Sequence, residues 1–160
     1  MNRREFLPLM LGLIAGAKLA HAAPEAEKPV VVGKLTLSDA EWKKRLAPEA
    51  YQVLRHEATE RAGTSPLNAE KRKGSYLCAG CDLPLFSSEA KYDSGTGWPS
   101  FFAAIPGRLE TRNDRGFFGP VTEYHCARCA GHQGHVFDDG PKPTGKRYCN
   151  NGVALKFVPA

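Results

Sequence analysis

The 160-residue chain contains no run of five like charges, no low-complexity tract and no apolar stretch longer than the 12 residues from Phe6 to Ala17. Each absence closes off a class of function. Without clustered charge, a formal balance of +5 is too mild and too scattered to be a polyanion footprint, so nucleic acid is not an expected partner. A spanning helix needs roughly 20 apolar residues, so the Phe6–Ala17 run is too short for a permanent anchor. No repeat is evident apart from two Cys-x-x-Cys pairs, which excludes a solenoid. Cysteine is too sparse for a disulfide framework. There are five, and none precedes Cys78, which excludes a lipoprotein and makes four plus one the partition to test. A hydrophobic fraction of 42% supports one core, and the length suits one domain.

The chain opens with Arg3-Arg4 before the apolar run, and Ala20-His21-Ala22 follows as a small-x-small cleavage site. That is the layout of an export signal over residues 1–23, cut near Ala22. The paired arginines with Phe6 and Leu7 are similar to a twin-arginine signal, whose machinery passes folded cargo to the periplasm. A Sec-type signal has similar basic starts and stays open. Losing Arg3, Arg4, Lys18 and Glu5 leaves the mature chain at +3. Residues 24–36 read as a polar linker, mobile over the proline-bracketed PEAEKP.

In the mature chain, Ser38 and Glu41 have the spacing of a capping box, so a helix should start there with Trp42 and Leu46 on one face. A second short helix should begin at Pro48, where a missing N–H costs nothing, and carry Tyr51, Val53 and Leu54. Ala62–Pro66 reads as a loop. From Gly74 onward, short runs such as SYLC, RLETR, FFGPVTEYHC, HVF and VALKFV between glycines and prolines predict antiparallel strands.

Cys78-Ala79-Gly80-Cys81 and Cys126-Ala127-Arg128-Cys129 are two knuckles that could supply the four thiolates of one tetrahedral zinc. The 44 residues between them mean that such an ion would tie distant hairpins together. A cross-link around roughly 50 residues contributes about 4 kcal/mol by the chain-entropy argument. With every position filled by sulfur, the site would be structural. Two disulfides or a redox dithiol remain the alternatives.

Cys149 is the cysteine left over. In a strand, Arg147, Cys149 and Asn151 share one face, and a nearby guanidinium favours the reactive thiolate. A buried, inert thiol is the competing reading. The segment GHQGHVF follows the second knuckle, and a glycine-rich turn there would let His132 and His135 converge on one pocket, placed to move protons or held structurally. Trp98, between Gly97 and Pro99, offers a flat apolar wall to a pocket or to the core.

Together, CAGC, SGTGWPSF, CARCAGHQGHVFDDGPKPTG and RYCNN resemble the B-type methionine sulfoxide reductases, which act on the R epimer of peptide-bound methionine sulfoxide. The motifs run in order from about Leu37 to Val158. The resemblance implies a mainly β (α+β) fold over residues 37–160, with two antiparallel sheets, short N-terminal helices and a structural four-cysteine zinc site remote from the chemistry. It makes Cys149 the nucleophile, packs Trp98 against the substrate methyl group, and places His132, His135, Asp139, Arg147 and Asn151 around the pocket. Ala130-Gly131, Gln133, Asn150 and Gly152 depart from the Gly-Ala, Leu, Ile and Ser that other members often carry.

The chemistry suits these residue types. A thiolate attacks the electron-poor sulfur of a sulfoxide while an imidazolium protonates its oxygen, leaving methionine and a Cys149 sulfenic acid. Many members carry a resolving cysteine where this chain has Thr96. With the other four cysteines on zinc, the reductant is expected to be external, a small thiol or a thioredoxin-like protein. The expected partners are therefore oxidised proteins or peptides, such a reductant and the export machinery, with the enzyme a monomer. Two other classes stay in view. A zinc-ribbon binding module would never reduce a sulfoxide, and a cysteine hydrolase would form an acyl adduct instead of a sulfenic acid.

Overall fold

A computed structural model describes residues 31–116 and 119–160. The expected export segment and most of the linker lie outside them. Helix α1 (Asp39–Arg45) begins where the capping box predicts: Ser38 Oγ accepts from the Glu41 amide at 3.4 Å, and Glu41 Oε2 accepts from the Ser38 amide at 2.8 Å. Helix α2 (Pro48–His56) starts on Pro48 and ends where Glu57 turns left-handed, φ 57°. Trp42 and Leu46 of the first helix segment and Tyr51, Val53 and Leu54 of the second are buried together. Val32 and Leu35, within the stretch assigned to the linker, also pack on this core, and the Leu35 amide donates to Arg128 O at 2.7 Å. The ordered body thus extends further toward the N-terminus than the motifs do.

The strands are β1 (Gly74–Cys78), β2 (Pro84–Ser87), β3 (Lys91–Tyr92), β4 (Ser100–Phe101), β5 (Leu109–Gly116), β6 (Gly119–Cys126), β7 (His132–Phe137), β8 (Arg147–Asn150) and β9 (Leu155–Pro159). They form two antiparallel sheets, one ordered β2-β1-β9 and one ordered β3-β4-β8-β7-β6-β5. Aromatic side chains fill the space between the sheets. Phe86 stacks on Phe101 at 4.2 Å, Tyr76 meets the edge of Phe101 at 4.9 Å, and Tyr124 and Tyr148 close around them from the larger sheet.

The segment expected to be a glycine-rich turn is strand β7, and its register differs from a regular strand. His132 pairs with His125 and Gly134 with Tyr124, so Gln133 is an extra residue, a β-bulge. In an unbulged strand, residues three apart point to opposite faces. The bulge reverses the alternation, and the rings of His132 and His135 lie 5.5 Å apart. The bulge brings the two rings together, but only His135 lines a cavity with Cys149, so the two do not converge on one pocket.

Phe101 stands at the centre of the inter-sheet stack and is fully buried. Phe101→Ala should lower stability by about 3–5 kcal/mol, read as a fall in the urea midpoint. An unchanged midpoint would mean that the sheets do not depend on this stack.

Candidate active site and metal centre

The first knuckle is the β1–β2 turn and the second is the β6–β7 turn, one from each sheet. Both are built alike. The chain turns back at Asp82 (φ 59°) and Ala130 (φ 54°), whose amides donate to Cys78 O and Cys126 O at 2.9 Å. Arginines cap the outward carbonyls: Arg45 Nε to Gly80 O at 2.7 Å, Arg55 Nη1 to Cys129 O at 2.9 Å, and Arg128 Nη1 to Cys81 O at 3.1 Å. The helices therefore hold both turns in place.

The sulfurs of Cys78, Cys81, Cys126 and Cys129 are buried and lie within 4.8 Å of one another. Cys78 Sγ is 3.6 Å from Cys129 Sγ, and Cys81 Sγ is 3.4 Å from Cys126 Sγ. A disulfide would need about 2.05 Å. A tetrahedron with metal–sulfur bonds of about 2.3 Å has edges of roughly 3.8 Å, close to what is found. Crowding also tells for a cation. Four sulfurs this close cannot all be thiolates unless a positive ion sits among them. The donor set fits a structural metal, since four sulfurs fill a tetrahedron and leave no open position for substrate.

Cys149 lies in β8 between two partners: Ser100 of β4 on one side and His135 of β7 on the other. Arg147 and Cys149 face outward, while Tyr148 packs into the aromatic core. A cavity of about 170 Å³ opens over the thiol, lined by Thr59, Trp98, Gly134, His135, Phe137, Cys149, Asn150 and Asn151. Gly134 is needed there, because a Cβ on it would come within 1.9 Å of Cys149 O. Trp98 is set by the loop after α2, its Nε1 donating to Glu60 O at 2.8 Å.

Cys149, Trp98, His135 and Asn151 line one cavity. The other candidates stand further out. Arg147 and Asp139 form a two-bonded ion pair, at 2.7 and 2.8 Å, beside the cavity, with the guanidinium 4.2 Å from the Phe137 ring centre that lines it. His132 lies behind His135, its Nδ1 2.7 Å from Glu123, a carboxylate buried to 1% exposure that also meets His125 and Arg112. His135 Nε2 lies 3.1 Å from Asp114, which leaves Nδ1 without a protein partner among the described residues. Asn151 is a strut as well as a wall. Its Oδ1 accepts from the Glu60 amide at 2.9 Å, and its Nδ2 donates to Gln133 O at 2.9 Å. Thr59, Phe137, Glu60, Glu123 and Asp114 were missed from sequence. Only Phe137 carried a signal, two residues after His135 in an alternating run.

The electrostatics add burial to what the sequence showed. Arg147 does favour the Cys149 thiolate, and so does the Thr96 hydroxyl 4.0 Å away, but burial outweighs both and pushes the thiol up from its ordinary value. Asp139, bound to the guanidinium, offsets part of its field. At neutral pH the resting group is the thiol.

These features define a two-sheet β protein with a buried four-cysteine cluster suited to a structural metal and a fifth cysteine lining a cavity. The SelR domain matches residues 46–159, and the chain belongs to that family. It is 53% identical over 123 residues to the chloroplastic peptide methionine sulfoxide reductase B1 of Arabidopsis thaliana, covering 76% of this chain and 61% of that one. It is 52% identical to the peptide methionine sulfoxide reductase MsrB of Methanosarcina barkeri, covering 75% and 85%, and 54% identical to that of Pseudomonas putida, covering 74% and 90%. This chain spans less than two thirds of the Arabidopsis protein and most of the other two.

Two outcomes follow from the site. Cys149 alkylation should climb about tenfold per pH unit past the ordinary thiol value of about 8.5, because only the thiolate reacts. Arg147→Met should slow it further at neutral pH, and a rate already flat at pH 7 would refute the burial effect. The sign for stability is the same: with the folded value above the unfolded one, the contribution is complete below about 8.5 and is lost as pH rises through the folded value. Secondly, stripping the metal, or Cys81→Ala, should unfold or aggregate the protein, read by circular dichroism, since metal binding is part of the folding energy.

Proposed function

We propose that this protein reduces methionine-R-sulfoxide in oxidised proteins and peptides, with Cys149 as nucleophile. The observation that carries this reading is the meeting of the Cys149 thiol, the Trp98 ring and the His135 imidazole in one small cavity, in a chain that belongs to the SelR family. Trp98 takes the apolar end of the side chain, and His135 with Asn151 takes the polar end. Cys149 attacks the sulfoxide sulfur as its proton leaves, with His135 placed to move that proton. The substrate S–O bond breaks and an S–O bond forms at Cys149. The thiol proton ends on that oxygen, so thiol and sulfoxide become sulfenic acid and sulfide. The substrate sulfur gains two electrons and Cys149 loses two.

Recycling comes from outside. The other four cysteines are gathered in the metal cluster, and Thr96 holds the position beside Cys149 Sγ. An external thiol, small or on a thioredoxin-like protein, displaces water from the sulfenic acid to form a mixed disulfide. A second thiol then releases Cys149. The metal is zinc on this reading, since four thiolates in a closed tetrahedron are its preferred structural set. When bound it supplies folding energy and no chemistry.

Among the described residues, only Val31 and Val158 are large exposed hydrophobics, which supports a monomer. The Arg3-Arg4 segment supports export to the periplasm by the twin-arginine route, because cargo folded around its metal arrives with its thiols committed. No helix among the described residues is long and apolar enough to cross a membrane.

Cys149→Ser should keep the fold and lose all measurable turnover, assayed anaerobically with the separate R and S epimers of a blocked methionine sulfoxide peptide. Reduction of the S epimer alone, or appreciable activity in the serine variant, would refute the assignment. Trp98→Ala should mainly raise KM. Thr96→Cys should give a disulfide with Cys149 after one turnover, seen as a 2 Da loss in intact mass after sulfoxide treatment. Replacing Arg3 and Arg4 with Lys should leave uncleaved precursor in the cytoplasm, and normal delivery with zinc in place would overturn folded export.

A further inference from the structure

Between the metal cluster and the cavity lies a polar chain that the reaction does not use. Gln133, Asn150 and Tyr124 are fully buried, at depths where amides and phenols are costly unless satisfied. Here each donor has an acceptor. Tyr124 Oη donates to Asn150 Oδ1 at 2.8 Å. Asn150 Nδ2 donates to Asn151 O at 2.8 Å and to Gln133 Oε1 at 3.3 Å. Gln133 Nε2 donates to Cys78 Sγ at 3.4 Å and to Gly131 O at 3.5 Å.

The direction of this chain is fixed. Asn151 O can only accept, so Asn150 must present its NH₂ on that side and its carbonyl to Tyr124. The Asn150 NH₂ then requires the Gln133 oxygen, which turns the Gln133 NH₂ toward sulfur. Reversing Gln133 would set two acceptors against each other at Cys78 and two donors against each other at Asn150. The only consistent arrangement ends on Cys78 as an acceptor, which suits a metal-held thiolate and suits a thiol or a disulfide poorly.

Gln133 is also the bulge residue of β7, and its carbonyl accepts both from the Asn151 amide at 2.8 Å and from Asn151 Nδ2 at 2.9 Å. One residue therefore touches a metal ligand with its side chain, holds a cavity wall with its backbone, and sets the bulge that brings His132 and His135 to one side. We propose that Gln133 is a positioning residue for the reduction, coupling the metal-held thiolate of Cys78 to Asn150 and Asn151 immediately after the nucleophile. The proposal rests on the metal reading above.

Gln133→Met keeps the length and about the volume of the side chain and removes all three of its hydrogen bonds. In the metal-loaded mature protein it should release zinc to a chromogenic chelator about tenfold faster, the factor that corresponds to ~1.4 kcal/mol in a hydrogen bond to a charged acceptor. It should also lower kcat for the R-sulfoxide peptide several-fold with KM little changed. Should it fold poorly, Gln133→Leu with Asn150→Ile and Tyr124→Phe replaces the buried polar set by apolar groups without orphaning a hydroxyl, restores folding and keeps zinc release fast. The decisive measurement is the exchange of zinc for cadmium, followed by NMR of the side-chain amides. In the parent, the Gln133, Asn150 and Asn151 amide resonances should all move with the metal. In the Gln133 variants, those of Asn150, where retained, and Asn151 should stay put. Bound metal with unmoved Asn150 and Asn151 resonances in the parent, or an unchanged kcat in Gln133→Met, would overturn the coupling. Failure of the protein to bind either ion would instead overturn the metal reading.

Discussion

Everything in this molecule hangs on one contact, the meeting of four sulfurs contributed by two hairpin turns that belong to different sheets. A three-stranded sheet with short strands has little to hold its face on a neighbour beyond side-chain packing. Here the β1–β2 turn is pinned to the β6–β7 turn, and the aromatic stack of Phe86, Phe101 and Tyr76 is compressed between the sheets that the turns close. The helices serve the same contact: α1 and α2 each send an arginine to a knuckle carbonyl. Pinning matters for the chemistry because β7 leaves the second knuckle at once. Its first residue is His132, and its fourth, His135, stands opposite Cys149.

A row of side chains crosses the larger sheet in register, running Arg112, Glu123, His135, Cys149 and Ser100. Charge falls away along it. Glu123, though buried, is held ionised by its histidine partners against the penalty of burial, whereas Cys149 is held neutral by burial despite Arg147. A carboxylate therefore sits on the far side of the imidazole, where it steadies His132 and, through ring contact, the place of His135. The thiol end is walled by the rings of Trp98 and Phe137.

Much of this was legible in the residues. The capping box at Ser38 and Glu41, Pro48 at a helix start, and two Cys-x-x-Cys knuckles are local devices whose geometry follows from their own spacing, and each is found where its spacing puts it. Cys149 was legible as the cysteine left over from the two knuckles and His135 by its glycine-flanked run, whereas Trp98 stayed open between core and pocket until the family resemblance placed it, with Asn151, at the site. What stayed hidden is relational. No local pattern says that Gln133 is an extra residue opposite Tyr124 and His125, since a bulge exists only in the pairing of two strands. Glu123 and Asp114 drew no reading from the sequence, because what they meet are histidines nine and 21 positions later. Arg147 does act on Cys149 in the sense its charge implied, but its pairing with Asp139 and the burial that outweighs it belong to the folded state.

The raised Cys149 pKa has a chemical logic on the proposed reaction. A thiolate at rest would react with any small oxidant that entered the cavity, and with no cysteine at position 96 its sulfenic acid would await an external thiol, exposed to further oxidation. A thiol reacts slowly with such oxidants. A sulfoxide differs because it brings its own base. Its oxygen takes a proton as its sulfur is attacked, so deprotonation and attack coincide only when substrate lies between Cys149 and His135. Burial thus costs the enzyme nucleophilicity at rest and returns selectivity, since the proton leaves only when there is an oxygen placed to receive it.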